Sequence, residues 1–163
     1  MHLHRLLALA GVAIGVVGLF FSGLTTAGEP ALAALSQQEE SLPDGIPTIW
    51  GGLEVWAQVI LVLLIAVVVW TSVRPYVELT FLRSSAIVVT SCGVVMFAYA
   101  AIKYIDAFES ADTLETGFWL VAESELRGVS AWSVAPGIGF FVLLLGTFIV
   151  ALSGVLSLIS AER

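Results

Sequence analysis

Val55-Trp-Ala-Gln-Val-Ile-Leu-Val-Leu-Leu-Ile-Ala-Val-Val-Val-Trp-Thr-Ser-Val73 runs for 19 residues without Asp, Glu, Lys, Arg, Gly or Pro. Roughly 20 apolar residues in a helix cover the ~30 Å of hydrocarbon in a bilayer. Lipid offers the backbone no hydrogen-bond partners, so a run of this kind satisfies itself as a helix. Trp56 and Trp70 stand near its two ends and Trp50 just before it, the places where interfacial aromatic residues belong.

Three further runs have the same character: residues 6–24, 86–102 and 137–159, none of which contains a charged residue. Of the 163 residues, 59% are hydrophobic and 12% charged, with a mean hydropathy of +1.03. A soluble domain is closer to 45–50% apolar and about 25% charged. This composition excludes an ordinary water-soluble globule. The predicted fold is all-α: a single domain over 1–163, built as a four-transmembrane-helix bundle. Its helices fall at about 6–24, 54–73, 86–108 and 136–159, with outer loops 25–53 and 109–135 and an inner loop 74–85. The first run has some marks of a secretory signal, with His2, His4 and Arg5 ahead of it and small residues at 25–27. It is long for a signal core, and the expectation is a retained first helix.

Orientation follows the basic residues, which collect on the cytoplasmic side of short loops. Arg5, Arg74, Arg83 and Arg163 fall on one side and only Lys103 and Arg127 on the other, which places both termini inside, in the cell membrane. The outer segments 25–54 and 103–136 carry eleven acids, among them Glu29, Glu54, Asp106, Glu109, Asp112 and Glu115, against two basic residues, so the excess of negative charge lies outside.

In the first outer loop, Pro30 opens a predicted short helix ending near Glu40, and Pro43-Asp44-Gly45 marks a turn. The inner loop is short and is expected to lie along the membrane surface. In the second outer loop, Tyr104, Ile105 and Phe108 continue the third helix for about two turns beyond the bilayer. Gly117–Val121 and Val129–Trp132 read as strands, which would pair with the extended segment Ile46–Trp50 in a small outer sheet.

Few residues offer chemistry. Cys92 is the sole cysteine and lies within the third span, where it reads as a small buried residue. His2 and His4 are two ligands at a terminus without a third, and no histidine follows them to serve a nucleophile. Asp106, Glu109 and Asp112 recur every three residues as one acidic helical face, read as solvated or as meeting a basic partner rather than as a cation site. Within the spans the strongest polar groups are Gln58, Thr71, Thr90, Ser91, Thr147 and Ser153, with none of the ionisable residues that pumps and proton relays place there. No enzymatic activity, cofactor, metal or nucleic-acid partner is expected.

The spans are instead rich in small residues. Gly11 and Gly15 form a GxxxG pair that Gly18 and Ser22 extend, and the fourth run has Gly146, Ser153 and Gly154. Small residues let helix backbones approach, which replaces the hydrophobic driving force that lipid removes. The reading favours packing inside this bundle over docking to a foreign helix, while keeping Gly11, Gly15 and Gly18 as interface candidates with Trp50, Asp106, Glu109, Asp112 and Trp119.

Four helices, two outer loops, a short inner turn and inner termini resemble the claudin and receptor-accessory (TARP) architecture. Trp50-Gly-Gly-Leu-Glu-Val-Trp56 is similar to the Gly-Leu-Trp of the claudin first loop, although the paired loop cysteines are absent and the loop is shorter. Five Arg against one Lys, with abundant Ala, Val, Gly and Leu, point to a high-GC bacterium such as an actinomycete. In that setting the layout is similar to small accessory subunits, such as the four-helix subunit (LucB) of the mycobacterial Mce lipid-import machinery or the small subunits of the actinobacterial respiratory supercomplex. The resemblance implies a non-catalytic accessory subunit docked to a larger membrane complex and surrounded by membrane lipids. A claudin-like self-assembling scaffold and a small transporter or lipid-binding protein are the alternatives.

Overall fold

A computed structural model describes residues 2–28, 47–73, 81–125 and 132–161. Four helices and two short strands follow in the order α1 (Leu3–Leu19), β1 (Leu24–Gly28), α2 (Val55–Val73), α3 (Arg83–Glu125), β2 (Trp132–Pro136) and α4 (Ile138–Ala161). Three of the helices, α2, α3 and α4, are long and apolar enough to cross a membrane, and α1 is a shorter apolar helix of 17 residues. The expected short helix and turn over 30–45 and residues 74–80 of the expected inner loop 74–85 lie outside the described residues.

His2 starts α1: its backbone is extended, its imidazole accepts from the His4 N–H at 3.4 Å, and its carbonyl accepts from Arg5 and Leu6. The helix stops at Leu19, five residues earlier than the apolar run, because Ser22 and Gly23 are drawn into pairing with the segment that precedes α2. Ser22 bridges Thr48, Gly23 N–H donates to Pro47 O at 3.0 Å, Ile49 N–H to Phe21 O at 2.9 Å and Trp50 N–H to Leu19 O at 2.8 Å.

The helices alternate in direction. Gly11 faces Gly146 and Val150 while Gly18 faces Gly139 and Leu143, so α1 and α4 are antiparallel; Gly93 against Ala151 and Thr90 against Gly154 make α3 and α4 antiparallel too. The start of α1 and the end of α4 therefore share one end of the bundle, called the lower end here. α4 sits between α1 and α3, and α2 lies across α1 and α3. Ile49, Leu53 and Leu19 are buried among the helices near the upper end, and Phe81 is buried at the lower end.

The small sheet exists but is built from other residues than the sequence implies. β1 pairs with β2 antiparallel, with Leu24 opposite Pro136, Thr26 opposite Val134 and Gly28 opposite Trp132. Gly117–Val121, read as a strand, is helical within α3, and Ile46–Trp50 pairs through its described residues with 19–23 instead. Of Val129–Trp132, only Trp132 is described, as the first residue of β2. Aromatic and β-branched residues favour strands only where packing supports them. Here Ala111, Leu114 and Glu115 bring an already nucleated helix up to Gly117, and extending a helix is far easier than starting one. The third helix thus continues for about six turns beyond Lys103 rather than two, and takes up most of the predicted loop 109–135.

Candidate interaction surfaces

The stripe of small residues on α1 is spent inside the chain. A Cβ on Gly11 would lie 2.7 Å from Gly146 O and 2.9 Å from Val150 N, and one on Gly18 would lie 2.7 Å from Leu143 N. On the α4 side, a Cβ on Gly139 would lie 2.8 Å from Gly18 O, and one on Gly146 would lie 2.6 Å from both Gly11 O and the Gly15 Cα. These are backbone-to-backbone contacts, which no side-chain rotation relieves. Gly15 is different, because a Cβ there meets only Leu143 Cδ1 at 3.9 Å and Gly146 Cα at 4.0 Å. Gly11, Gly15 and Gly18, kept from sequence as interface candidates, are all buried against α4, the packing inside the bundle that the sequence reading favoured. A second seam joins α4 to α3, where a Cβ on Gly93 would stand 2.5 Å from Ala151 N and one on Gly154 2.7 Å from Thr90 N.

Several hydroxyls of the helices are satisfied within their own helix. Thr71, Ser72, Thr90, Thr147 and Ser153 each donate a hydroxyl hydrogen bond to a carbonyl of their own helix at 2.6–2.9 Å, a local way of satisfying a hydroxyl in an apolar setting. Ser157 Oγ is buried without a partner. Gln58 Nε2 donates to Trp50 O at 2.9 Å and Leu53 O at 3.3 Å, tying the first turn of α2 to the segment ahead of it. Among the described residues no three His, Cys, Asp or Glu side chains come together to hold a metal ion.

Arg5 is 5% exposed, although it carries a charge. Its guanidinium donates to Ser72 O at 3.1 Å and Thr71 O at 3.4 Å and stands 5.0 Å above the ring centre of Phe81. Thr71 and Ser72 lie in the last turn of α2, where helix carbonyls have no intrahelical donor and the helix dipole is negative. A residue read from sequence only as a marker of the inner side thus caps the next helix. No sequence signal pairs position 5 with positions 71 and 72, 66 and 67 residues away.

The acidic face is where the spacing placed it. Asp106, Glu109 and Asp112 are exposed on the upper part of α3, and Asp106 pairs with Lys103 at 2.9 Å. The opposite side of this segment is packed, with Ala107 and Ala111 buried. Glu115, not singled out by sequence, accepts from the Val134 N–H at 3.2 Å and ties α3 to β2. Near the acids, Tyr104 meets Phe108 and Phe141 edge-on and Phe140 at a tilt, with centroid distances of 5.0, 5.3 and 5.9 Å, an aromatic girdle where α3 meets α4. Trp50 is half-buried against the core, and Trp119 falls on the backbone of α3 with its side chain outside the described residues. No family model matches this chain, and no curated protein or solved structure matches it.

Proposed function

We propose that the chain crosses the membrane four times with both termini inside, and that it serves as a non-catalytic accessory subunit of a larger cell-envelope membrane complex. The observation that carries the reading is the length and surface of α3. From Arg83 to Lys103 the helix rises about 30 Å, the thickness of the hydrocarbon core, with a basic residue at each boundary. The remaining 22 residues to Glu125 extend about 33 Å further as one continuous helix. This projection is stiffened by β2 on one side and presents Asp106, Glu109 and Asp112 on another. A rigid, acidic arm fixed to a lipid-embedded bundle suits docking to a basic outer surface of a partner. Two crevices lined by described residues each have room for about one water, too narrow as they stand for a transported solute or lipid.

Affinity purification of the chain in mild detergent tests this. A larger partner is expected in fixed stoichiometry, lost when Asp106, Glu109 and Asp112 are all changed to Lys. Recovery of the chain alone contradicts the reading, and a ladder of self-adducts after crosslinking in membranes supports a self-assembling scaffold instead. Topology is checked on a Cys92→Ala background: an impermeant thiol reagent added outside should label Asp112→Cys and leave Leu82→Cys unlabelled until the membrane is opened.

A further inference from the structure

The α1–α4 seam changes character along its length. Toward its upper end glycine brings the two backbones together, at Gly11 and Gly18 of α1 and at Gly139 and Gly146 of α4. Below Gly11, α1 has no glycine, and Gly154 of α4 faces Thr90 and Ala86 of α3 instead. Ala8 on α1 and Ser153 and Ser157 on α4 are fully buried there. A buried hydroxyl needs a hydrogen-bond partner, and the two serines differ in whether they have one.

Ser153 donates within its own helix, to Val150 O at 2.7 Å, and the exposed Ser160 does the same to Leu156 O at 2.8 Å. Ser157 Oγ has no partner among the described residues. One other buried side-chain atom among them shares that condition: Nδ1 of His4, a half-buried residue in the first turn of α1. Helical spacing brings these two to the same place. Gly11 faces the Val150 amide; His4 stands seven residues before Gly11, and Ser157 seven residues after Val150. Seven residues make two helical turns to within about 20°. Since α1 and α4 are antiparallel, both steps lead down the same seam to the same level.

A buried polar atom without a hydrogen bond bears the whole cost of its lost hydration. Two such atoms facing each other across a seam, and not bonded to each other, are satisfied together by one bridging water. We propose that a single water molecule joins Ser157 Oγ to His4 Nδ1 and fastens the lower end of α1 to α4, where glycine contact gives out. Nδ1 accepts from the water when the ring proton sits on Nε2 and donates to it otherwise, and the serine hydroxyl takes the complementary part in either case. One turn above, both helices carry small residues, Ala8 and Ser153, and the half-buried His4 gives the site a way to solvent. In lipid, where apolar burial does not drive helices together, interhelical hydrogen bonds are among the forces that do.

Solid-state NMR of the full chain in lipid nanodiscs tests the bridge. With isotopically labelled histidine ring nitrogens, those of His4 assigned from their loss in His4→Phe, magnetisation transfer from water to Nδ1 is expected in the wild type. It is expected to fall several-fold in Ser157→Ala. No transfer from water to Nδ1 in the wild type overturns the proposal. So does a transfer that Ser157→Ala leaves unchanged, which makes it ordinary hydration of the ring. A coupling from the Ser157 hydroxyl proton to Nδ1 overturns it in favour of a direct bond. Reversible unfolding in mixed micelles reads the same site without a water signal. Ser157→Ala and His4→Phe are each expected to lower the ratio of folded to unfolded chain by roughly fivefold. The double variant is expected to lose roughly fivefold as well, because either change alone already removes the bridge. Losses that multiply to roughly twenty-five-fold make the two residues independent and overturn the proposal.

Discussion

The α1–α4 seam and the α2 seat are both helix contacts in the same apolar bundle, yet they are built on different physics. In the seam, glycines at 11, 18, 139 and 146 bring backbone atoms together, and a Cβ at any of these four would stand inside van der Waals distance of the other helix. The seat has no glycine, crevices border it at Leu61 and Ile65, and Arg5 donates hydrogen bonds to carbonyls at its lower end. The contrast teaches that hydropathy marks both helices equally as spans but says nothing about how tightly each is held. α2 and α4 have mean hydropathies of 2.4 and 2.5 in their best windows, while 22% and 39% of those windows are buried. Packing, not apolarity, separates them.

The largest effect should come from breaking the seam. Gly146→Val drives a branched side chain into the backbone of Gly11 and Gly15, and should cost roughly 3 kcal/mol or more by overpacking, read as loss of folded protein in detergent melting. On the seat, Leu61→Ala should cost about 1–2 kcal/mol, below the usual range for a buried leucine, because the crevices beside it already deprive it of contacts. The same measurement on a chemically unfolded and refolded series compares the two directly. Outside the bundle, Glu115→Ala removes the acceptor for Val134 N–H and should cost about 1 kcal/mol or less for this half-buried group; faster amide exchange over 132–135, with α4 unaffected, is the expected sign. The smallest effect belongs to the lipid side of α2, where Leu63 is 59% exposed and Leu63→Ala should leave the melting temperature unchanged within error.

Much of this was legible in the residues and some was not. The apolar runs predicted the helices to within a few residues at most ends, because spanning length and charge exclusion are properties of a segment on its own. The acidic face of Asp106, Glu109 and Asp112 was equally local, a matter of helical spacing. The small-residue stripe was visible, but its partner was not, since GxxxG carries no address; only the fold shows Gly11 and Gly18 against α4. The outer sheet was misassigned because Gly117–Val121 has strand composition while its flanks propagate a helix, and the outcome depends on that longer context. The roles of Arg5 and Glu115 had no local trace, each depending on a contact made far along the chain.

The bundle is closed by backbone approach at particular glycines rather than by a general preference for small residues. Gly11→Ala and Gly15→Ala test it most directly, since they make the same chemical change one helical turn apart. Thermal melting of the two variants in the same lipid should show Gly11→Ala well below wild type, by roughly 1–3 kcal/mol of stability, and Gly15→Ala at or slightly above it, because its new methyl meets only ordinary contacts at 3.9 and 4.0 Å. Equal losses in both, or a greater loss in Gly15→Ala, would contradict the account.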